Sequence, residues 1–451
     1  MEPLKRFGST RREPLAPLPF AVAVALAALL LTTPLTAQEA KRRWETMNQI
    51  RRDKFDLVLP EAMRENAIDM WIVQIREANY EPLWPDLGFG YTGQTGYYVF
   101  TDRGGERIER AALGISGYMI ERSGAYDYFG SADELAAFVA ERDPERIGLN
   151  ISRSIGGADG LSHSGYLEIV ELLGEPWASR LVSAEKLVSD FRSRRVASEI
   201  AAFAEAGEIS RQIAERSLSN EVITPGVTTL EDVAWWIRDR LFERGLDLSF
   251  GMPSIYVTGP EGIEAISSPR IIQRGDLLMI DWGVGLMNLY TDMKRIAYVL
   301  RAGETEAPAG IGNAFDRAVE ARQVVRGAIR AGITAKQAEE EIYAALAEAG
   351  FERIEFNQPT DDPDTTDVVI GCHSVGNSGH GIGPSIAFFN PVRITYELRP
   401  TNLLSIELFA YTAAPEWGGK KVRIPLEDDA VVTERGVEWL YPVNDRILLI
   451  K

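Results

Sequence analysis

Four acidic residues stand in apolar segments of the chain, where an unpaired carboxylate is costly. Asp281 and Asp292 lie within LLMIDWGVGLMNLYTDMKRIAYVL, and Glu407 and Glu427 lie within LLSIELFAYTAAPEWGGKKVRIPLEDDAVV. Burying a charge without a partner is unfavourable, so these carboxylates need counter-ions. A pair of divalent cations would supply that charge and would create a hydrolytic metal site.

Each acidic pair is separated by a segment that predicts a hairpin turn at its midpoint. The aspartate pair is centred between Leu286 and Met287, and the glutamate pair is centred on Trp417, beside two glycines. Folded in this register, the two acids of each pair lie opposite each other, with Cβ atoms about 4.5–5.5 Å apart. That separation suits carboxylates that share metal ions roughly 3.5–4 Å apart.

His380 lies between the two predicted hairpins, in the segment SGHGIGP. An imidazole is the nitrogen ligand that borderline metals accept beside carboxylates. The glycines around it allow backbone and ligand to approach closely. We therefore predict that two divalent metal ions are bound by Asp281, Asp292, His380, Glu407 and Glu427.

At these five positions the chain resembles the creatinase/aminopeptidase P/prolidase family, the metallopeptidases of pita-bread fold. The matching elements, in order, are Asp281-Trp282-Gly283, Asp292 eleven residues after Asp281, Gly379-His380-Gly381-Ile382-Gly383, Ser405-Ile406-Glu407 and Glu427-Asp428-Asp429. The resemblance extends over roughly residues 45–451. It implies a dinuclear centre, with manganese expected first and cobalt, zinc or iron as alternatives, and a bridging water as nucleophile.

Two histidines that Xaa-Pro-cleaving members of this family carry near the metals are missing. Their positions correspond to Glu264 and Ala387, and the chain has 3 histidines in all. Loss of a donor to the tetrahedral intermediate costs about 10²–10³ in rate. Proline specificity is therefore a weaker expectation than the metal site, and Glu264 would repel anionic substrates.

The segment before Glu427 also departs from the family pattern, which commonly reads R-I-E-D. Here Arg423 and Glu427 are separated by two extra residues, one of them Pro425. Proline in a sheet is confined to edges and bulges, and a bulge re-aims neighbouring side chains. The sequence thus predicts a bulge that displaces Arg423.

The other two histidines and the single cysteine are weaker candidates. His373 is a candidate catalytic residue, as a proton shuttle or a carbonyl ligand; the alternatives are a partner of a carboxylate or a surface residue. Cys372 beside it is expected to be inert, and His163 is expected in a loop.

The main functional interpretation is a metal-dependent aminopeptidase or dipeptidase of Xaa-Pro type. Glu407 would take the proton from the metal-bridging water and deliver it to the leaving nitrogen. One alternative is a same-fold enzyme acting on a small non-peptide substrate by lyase or amidohydrolase-type chemistry. Another is a metal-binding homologue without catalysis. The expected partner is a short peptide or small molecule, and the resemblance implies a homodimer.

The predicted elements give a small α/β domain at residues 45–190 and an α+β catalytic domain at 191–451. The first has strands at 70–73 and 147–149 and a hairpin turn at 102–105. In the second, capping boxes at Thr228 with Glu231 and at Thr334 with Gln337 open two helices. The resemblance implies a curved antiparallel sheet with helices outside and metals on its concave face.

Composition narrows the class of partner. The chain of 451 residues is long enough for two or more domains, and its 45% hydrophobic residues allow a large core. The formal net charge of −18 argues against nucleic acid as a partner, because phosphate binding requires clustered Lys and Arg.

Residues 1–37 have the three-part plan of a secretory signal peptide. Basic residues at 5, 6, 11 and 12 precede an apolar run at 20–31, which is followed by Leu35-Thr36-Ala37 as a cleavage site. The apolar run is too short for an ordinary membrane span. We expect an exported protein, periplasmic or secreted, with an uncleaved anchor as the alternative and no other membrane contact.

Overall fold

The computed structural model of the protein describes residues 38–266, 269–387 and 389–451. The expected signal peptide at 1–37 lies outside them. The chain divides into two units, Met1–Thr46 and Met47–Lys451. In the described part of the first unit, Glu39 accepts hydrogen bonds from Arg42 and Arg43. Helices of the described ranges all fall short of the length and apolarity that a membrane span requires.

A six-stranded mixed sheet forms the N-terminal half of the second unit. Its strands are β1 (Met70–Ile75), β2 (Tyr91–Thr101), β3 (Glu109–Ser116), β4 (Tyr128–Gly130), β5 (Ile147–Leu149) and β6 (Leu181–Ser183). They are ordered β4-β3-β2-β1-β5-β6. Every residue of β1 is buried, which is expected of a central strand covered on both faces. The predicted strands at 70–73 and 147–149 and the hairpin turn at 102–105 are confirmed.

Helices pack around this sheet. They are the part of α1 (Glu39–Leu57) that follows Thr46, and α2 (Leu59–Glu65), α3 (Trp84–Leu87), α4 (Tyr118–Glu121), α5 (Leu135–Arg142), α6 (His163–Leu173) and α7 (Glu185–Ser193). The predicted boundary near residue 190 falls within α7. It stays a prediction, because residues 47–451 form a single unit.

Two large sheets and one small sheet make up the C-terminal half. Its strands are β7 (Asp247–Leu248), β8 (Ser254–Gly259), β9 (Gly262–Ala265), β10 (Leu277–Trp282), β11 (Val284–Leu286), β12 (Leu289–Tyr290), β13 (Met293–Val299), β14 (Phe351–Arg353), β15 (Thr366–Ile370), β16 (His373–Ser374), β17 (Leu403–Ala413), β18 (Lys421–Thr433), β19 (Gly436–Trp439) and β20 (Leu448–Ile450). One sheet runs β20-β13-β10-β8-β9, and the other runs β14-β15-β17-β18-β19 with β16 paired to β17. A small sheet, β12-β11-β7, extends the aspartate hairpin.

A pair of helices covers each of these sheets. The helices are α8 (Ala197–Ser217), α9 (Leu230–Arg244), α10 (Ala309–Ala328) and α11 (Ala335–Glu348). The capping box of α11, Thr334 with Gln337, is confirmed. That of α9 is formed by Thr229 with Asp232, one residue beyond the predicted pair. Helix α10 was not predicted, because its many alanines and glycines make the apolar face of the helix hard to recognise in the sequence.

Strand alternation places the acidic residues on the inner faces of the two sheets. On β10, Leu278, Ile280 and Trp282 pack into the core beneath α9. Asp281 points to the opposite face, because successive side chains alternate across a strand. On β17 and β18 the even-numbered apolar residues join the core beneath α10 and α11, which leaves Glu407 and Glu427 on the inner face.

Candidate metal centre

The glutamate hairpin has the predicted register. Glu407 lies directly opposite Glu427 in a continuous ladder from Leu403 to Ala413. The predicted bulge before Glu427 is wrong, because every residue from Lys421 to Val431 pairs in this ladder without a shift. Pro425 is tolerated because β19 pairs only with residues 430–433, so the described strands leave one side of β18 open there.

The aspartate hairpin has a different register from the predicted one. Asp281 lies opposite Lys294, not Asp292. The turn is centred one residue later than predicted, on Met287 and Asn288, which both have positive φ angles of 52° and 61°. Two-residue hairpin turns of this kind require positive φ at both central residues. Moving the turn by one residue shifts the cross-strand partner by two.

All five predicted metal ligands are nonetheless brought together. Ligand atoms lie within 4.8 Å of one another in three overlapping groups: Asp281, Asp292 and Glu427; Asp292, His373 and His380; His373, Glu407 and Glu427. His380 Nε2 is 3.2 Å from Asp292 Oδ2. The structure thus adds His373 to the five, and the role of each residue as a ligand stays a prediction.

His373 is buried at the centre of this group, so its interpretation as a surface residue is wrong. Its Nε2 lies 3.4 Å from Glu427 Oε1 and 3.9 Å from Asp292 Oδ2. Its Nδ1 is 3.0 Å from the carbonyl oxygen of Ser374. Because a carbonyl oxygen only accepts, Nδ1 must donate, and this orients Nε2 towards the carboxylates.

Lys294 also points into the cluster, and the sequence analysis missed it. Its Nζ is 2.7 Å from Glu407 Oε1 and 3.2 Å from Asp281 Oδ2, and it donates a hydrogen bond to Glu427 Oε2. The pattern that would have revealed it is its place two residues after Asp292 in a strand, which puts both side chains on one face.

Charges and burial in the cluster set the ionisation of its groups. Burial, reinforced by the charge of Glu427, raises the pKa of Asp292 to about 7. Burial alone would lower the pKa of Lys294, but the surrounding carboxylates outweigh it and raise that pKa well above its ordinary value. Burial likewise opposes ionisation of Glu427, yet Lys294 and the hydrogen bond from His373 lower its pKa. Burial also raises the pKa of Glu407.

The two acids after Glu427 are fully buried, so they are not part of a surface acidic run. Asp428 is 2.8 Å from Arg295 Nη1 and 2.9 Å from Arg322 Nη1. Asp429 Oδ2 accepts hydrogen bonds from the backbone N–H of Asp292 and from the hydroxyl of Tyr441. These contacts hold β18 and the start of β13 in place beneath the cluster.

Cys372 and His163 take no part in the site. Burial raises the pKa of the Cys372 thiol to about 12, so it would remain protonated and inert. His163 is exposed at the first turn of α6, beyond the cluster.

A cavity of about 610 Å³ opens onto the cluster. Its other described lining residues are mainly aromatic and apolar, with one guanidinium: Phe250, Tyr256, Ile263, Met279, Phe356, Ile370, Phe389, Phe409 and Arg423. Neither position of a missing histidine lines it. Glu264 is half-exposed and 3.1 Å from Arg270, and Ala387 is buried. The effect of Glu264 on an anionic substrate stays a prediction, although its neighbour Ile263 lines the cavity and Glu264 itself does not.

The residues present fit a divalent cation. Carboxylate oxygens and imidazole nitrogens converge within bonding range of a shared ion. Asp292 Oδ1 is buried and has no hydrogen-bond partner in the described chain. A buried, unsatisfied carboxylate oxygen is costly unless it coordinates a cation.

A family model for "Metallopeptidase family M24" matches residues 201–434. The chain therefore belongs to metallopeptidase family M24, which confirms the resemblance and places the protein among metal-dependent peptidases. No curated protein sequence matches it.

Solved structures with the same fold cover most of the chain. The X-Pro aminopeptidase of Thermotoga maritima MSB8 has 19% identity, covers 86% of this chain and 99% of its own, and has a TM-score of 0.62. The Xaa-Pro dipeptidase of Bacillus anthracis has 20% identity, 89% and 99% coverage and a TM-score of 0.58. The prolidase of Pyrococcus horikoshii OT3 has 19% identity, 88% and 99% coverage and a TM-score of 0.56. The pita-bread fold with a preceding N-terminal region is thus confirmed.

Proposed function

We propose that the protein is an exopeptidase that cleaves short peptides, with Xaa-Pro bonds as the leading substrates. The observation that carries this proposal is the convergence of four carboxylates and two imidazoles on one small cavity. Similar solved structures are an X-Pro aminopeptidase, an Xaa-Pro dipeptidase and a prolidase, which supports the choice of substrate.

The residues that would hold the metal are the five predicted from sequence, joined by His373: Asp281, Asp292, His373, His380, Glu407 and Glu427. A divalent ion bound there lowers the pKa of a bound water and polarises a carbonyl. Manganese remains the first expectation for its identity, and the expected number of ions, two, stays a prediction.

Glu407 is the residue placed to move the proton. Its Oε1 accepts a hydrogen bond from Lys294, and its Oε2 lies 4.0 Å from His373 Nε2. Burial raises the pKa of Glu407, so the carboxylate binds a proton more readily than an exposed glutamate would. Glu407 would accept the proton of the attacking water and return it to the leaving nitrogen.

The cavity favours a small, partly apolar substrate with a free carboxylate. Its volume lies within the range of small-molecule sites, about 300–1,000 Å³. The Arg423 guanidinium lies 4.3 Å from the centre of the Phe409 ring, and its Nε is buried without a hydrogen-bond partner in the described chain. Arg423 would pair with the terminal carboxylate of a dipeptide or tripeptide.

One observation favours a second candidate, a same-fold enzyme acting on a small non-peptide substrate. Ile263 and Phe389 line the cavity close in sequence to Glu264 and Ala387, the two positions where the resemblance expects histidines. The described lining therefore has no additional imidazole to stabilise a tetrahedral intermediate. A lyase reaction, which forms no tetrahedral intermediate at a carbonyl, would not need such a donor.

The experiment uses chelator-stripped protein reloaded with manganese, cobalt or zinc and assayed on Xaa-Pro peptides, matched Xaa-Ala peptides and small amides. We expect metal-dependent cleavage before proline and a loss of about 10²–10⁴ in kcat for Glu407→Gln, the range of general acid–base catalysis. Glu438→Gln, an exposed acid on β19, is the matched control with unchanged rate. Turnover by metal-free protein would contradict the proposal; turnover of the amides alone would favour the second candidate.

We also propose that the protein is exported and forms a homodimer. The basic and apolar segments within residues 1–37 support export, and the resemblance supports the dimer. Cell fractionation with N-terminal sequencing tests the first, and light scattering of the purified protein tests the second. Full-length chain confined to the cytoplasm, or a monomer at all concentrations, would refute the corresponding proposal.

A further inference from the structure

Lys294 is placed by the hairpin register where a cation is needed. It lies opposite Asp281 across the β10–β13 ladder. It also follows Asp292 by two residues, so both side chains point to the inner face of the sheet. The lysine is thus built into the same strand pair that supplies the two aspartates, and only 7% of it is exposed.

The ammonium occupies one half of the cluster, which we call the lysine half: Asp281, Glu407 and Glu427 around Lys294. Glu407 and Glu427 each direct one oxygen to Lys294. The other oxygen of each lies on the opposite side, 4.0 Å and 3.4 Å from His373 Nε2. The two glutamates therefore divide the site, with Lys294 on one side and the imidazoles on the other.

A divalent ion and the ammonium exclude each other in the lysine half. On this side Asp281 and Glu427 offer ligand atoms that converge with one from Asp292, and an ion bound by them would lie about 2.0–2.2 Å from each ligand oxygen. Lys294 Nζ already lies 3.2 Å from the Asp281 oxygen and donates a hydrogen bond to Glu427 Oε2. The ion would coincide with the ammonium group, which also repels it.

The opposite side, the histidine half, has the ligands for one ion. Asp292 Oδ2 is 3.2 Å from His380 Nε2 and 3.9 Å from His373 Nε2. Glu407 and Glu427 each offer a further ligand oxygen next to His373. Two imidazoles with a carboxylate are a known donor set for a single catalytic zinc.

We propose that Lys294 replaces one of the two metal ions expected from the sequence, so that the centre holds a single divalent ion in the histidine half. This inference rests on the metal centre of the proposed function and makes it mononuclear.

The test is metal stoichiometry, measured by elemental analysis and by titration calorimetry with manganese, cobalt and zinc on chelator-stripped protein. We expect one ion per chain in the wild type and two in Lys294→Ala, because the substitution opens the lysine half and leaves its three carboxylates without a cation. The matched control is Lys421→Ala, which removes another buried lysine, 2.7 Å from Asp367, on strand β18. It should still bind one ion.

Two ions in the wild type, or one ion in Lys294→Ala, would overturn the inference while leaving a metal-dependent peptidase intact. Wild-type protein that binds none of the three metals would overturn the metal centre as well. If Lys294→Ala does not fold, two measurements on the wild type decide. The electron paramagnetic resonance of the manganese form should show an isolated ion, and anomalous scattering from its crystals should give one peak beside His373. An exchange-coupled spectrum or two peaks would contradict the proposal.

Discussion

Glu81 is a buried acid in the N-terminal half, only 1% exposed. Its Oε1 accepts hydrogen bonds from the N–H of Leu83 and from Asn150, but its Oε2 has no partner in the described chain. Burial raises the pKa of Glu81 to about 7. At the metal centre, by contrast, Lys294 supplies the charge that buried carboxylates require.

We predict that Glu81→Gln stabilises the protein at neutral and higher pH. The pKa of Glu81 is about 7 when folded and 4.5 in its ordinary state. Between these values the unfolded chain loses its proton while the folded chain keeps it, so the free energy of unfolding falls as pH rises. Above pH about 7 the full penalty, on the order of 3 kcal/mol, is present in the wild type and absent in the variant.

Denaturant unfolding across that range of pH is the measurement. The gain in stability of Glu81→Gln should be largest above the folded pKa and should vanish below pH about 4.5, where both states of Glu81 are protonated. Glu434→Gln, an exposed acid after β18, is the control and should show no such trend. A gain that does not change with pH would refute the account of Glu81.

At the scale of the strands, the two hairpins show what sequence pattern can specify. The register of β17 with β18 follows from the position of the turn at Trp417 beside two glycines, which favour tight turns, and it was predicted. The register of β10 with β13 depends on positive φ at Met287, a residue that rarely adopts it. Nothing in the residue type marks that turn, so the pairing of Asp281 with Lys294 could not be read from the sequence.

The site could be predicted where residue type alone marks it. Acids in apolar strands and a histidine among glycines identified five of the residues in the cluster. Lys294 was missed although its spacing from Asp292 predicts a shared face, whereas the buried position of His373 was missed because it depends on which face of a strand the residue occupies. That face is decided by cross-strand register and packing, which operate between segments distant in sequence.

Strand β18 places a cation at a fixed distance from the metal ligands. Arg423 and Glu427 are four residues apart on one face, so their Cα atoms are about 13 Å apart. A peptide of two or three residues, at about 3.3–3.6 Å per residue, spans much of that distance once the length of the arginine side chain is subtracted. If Arg423 binds the terminal carboxylate as proposed, the strand would set the distance between that carboxylate and the metal, and with it the length of the substrate.

We predict that Arg423→Gln raises KM for peptides with a free C-terminal carboxylate by about tenfold to a hundredfold, since a hydrogen bond to a charged group contributes about 1.5–3 kcal/mol. The value of kcat should change little, because Arg423 is remote from the scissile bond. Steady-state kinetics on matched peptide acids and peptide amides tests this, with the amides as internal controls. An equal rise in KM for both would show that Arg423 shapes the cavity and does not bind the carboxylate.

Within the unit Met47–Lys451, two hairpins from different sheets supply the carboxylates of one site. Asp281 and Lys294 come from the sheet covered by α8 and α9, and Glu407 and Glu427 from the sheet covered by α10 and α11. Neither sheet holds a complete set of ligands, so a cation bound by Asp292 together with Glu407 or Glu427 would link the two. Metal binding should therefore stabilise the folded state as a whole.

We predict a rise of about 3 °C in melting temperature when stripped protein is supplied with metal at a hundredfold excess over its dissociation constant. Ligand that binds only the folded state then contributes about 2.7 kcal/mol. Dividing that free energy by the entropy of unfolding, about 2.1 cal/mol/K per residue, gives the expected shift in melting temperature for the unit Met47–Lys451. Scanning calorimetry is the measurement, and sodium chloride at equal ionic strength is the control for simple screening.

In Asp292→Asn the shift should largely disappear, because Asp292 contacts both imidazoles. The prediction fails if sodium chloride gives a shift of the same size, or if the metal-induced shift persists in Asp292→Asn. Either result would mean that general screening of the acidic chain stabilises the protein and that no ion links the two sheets.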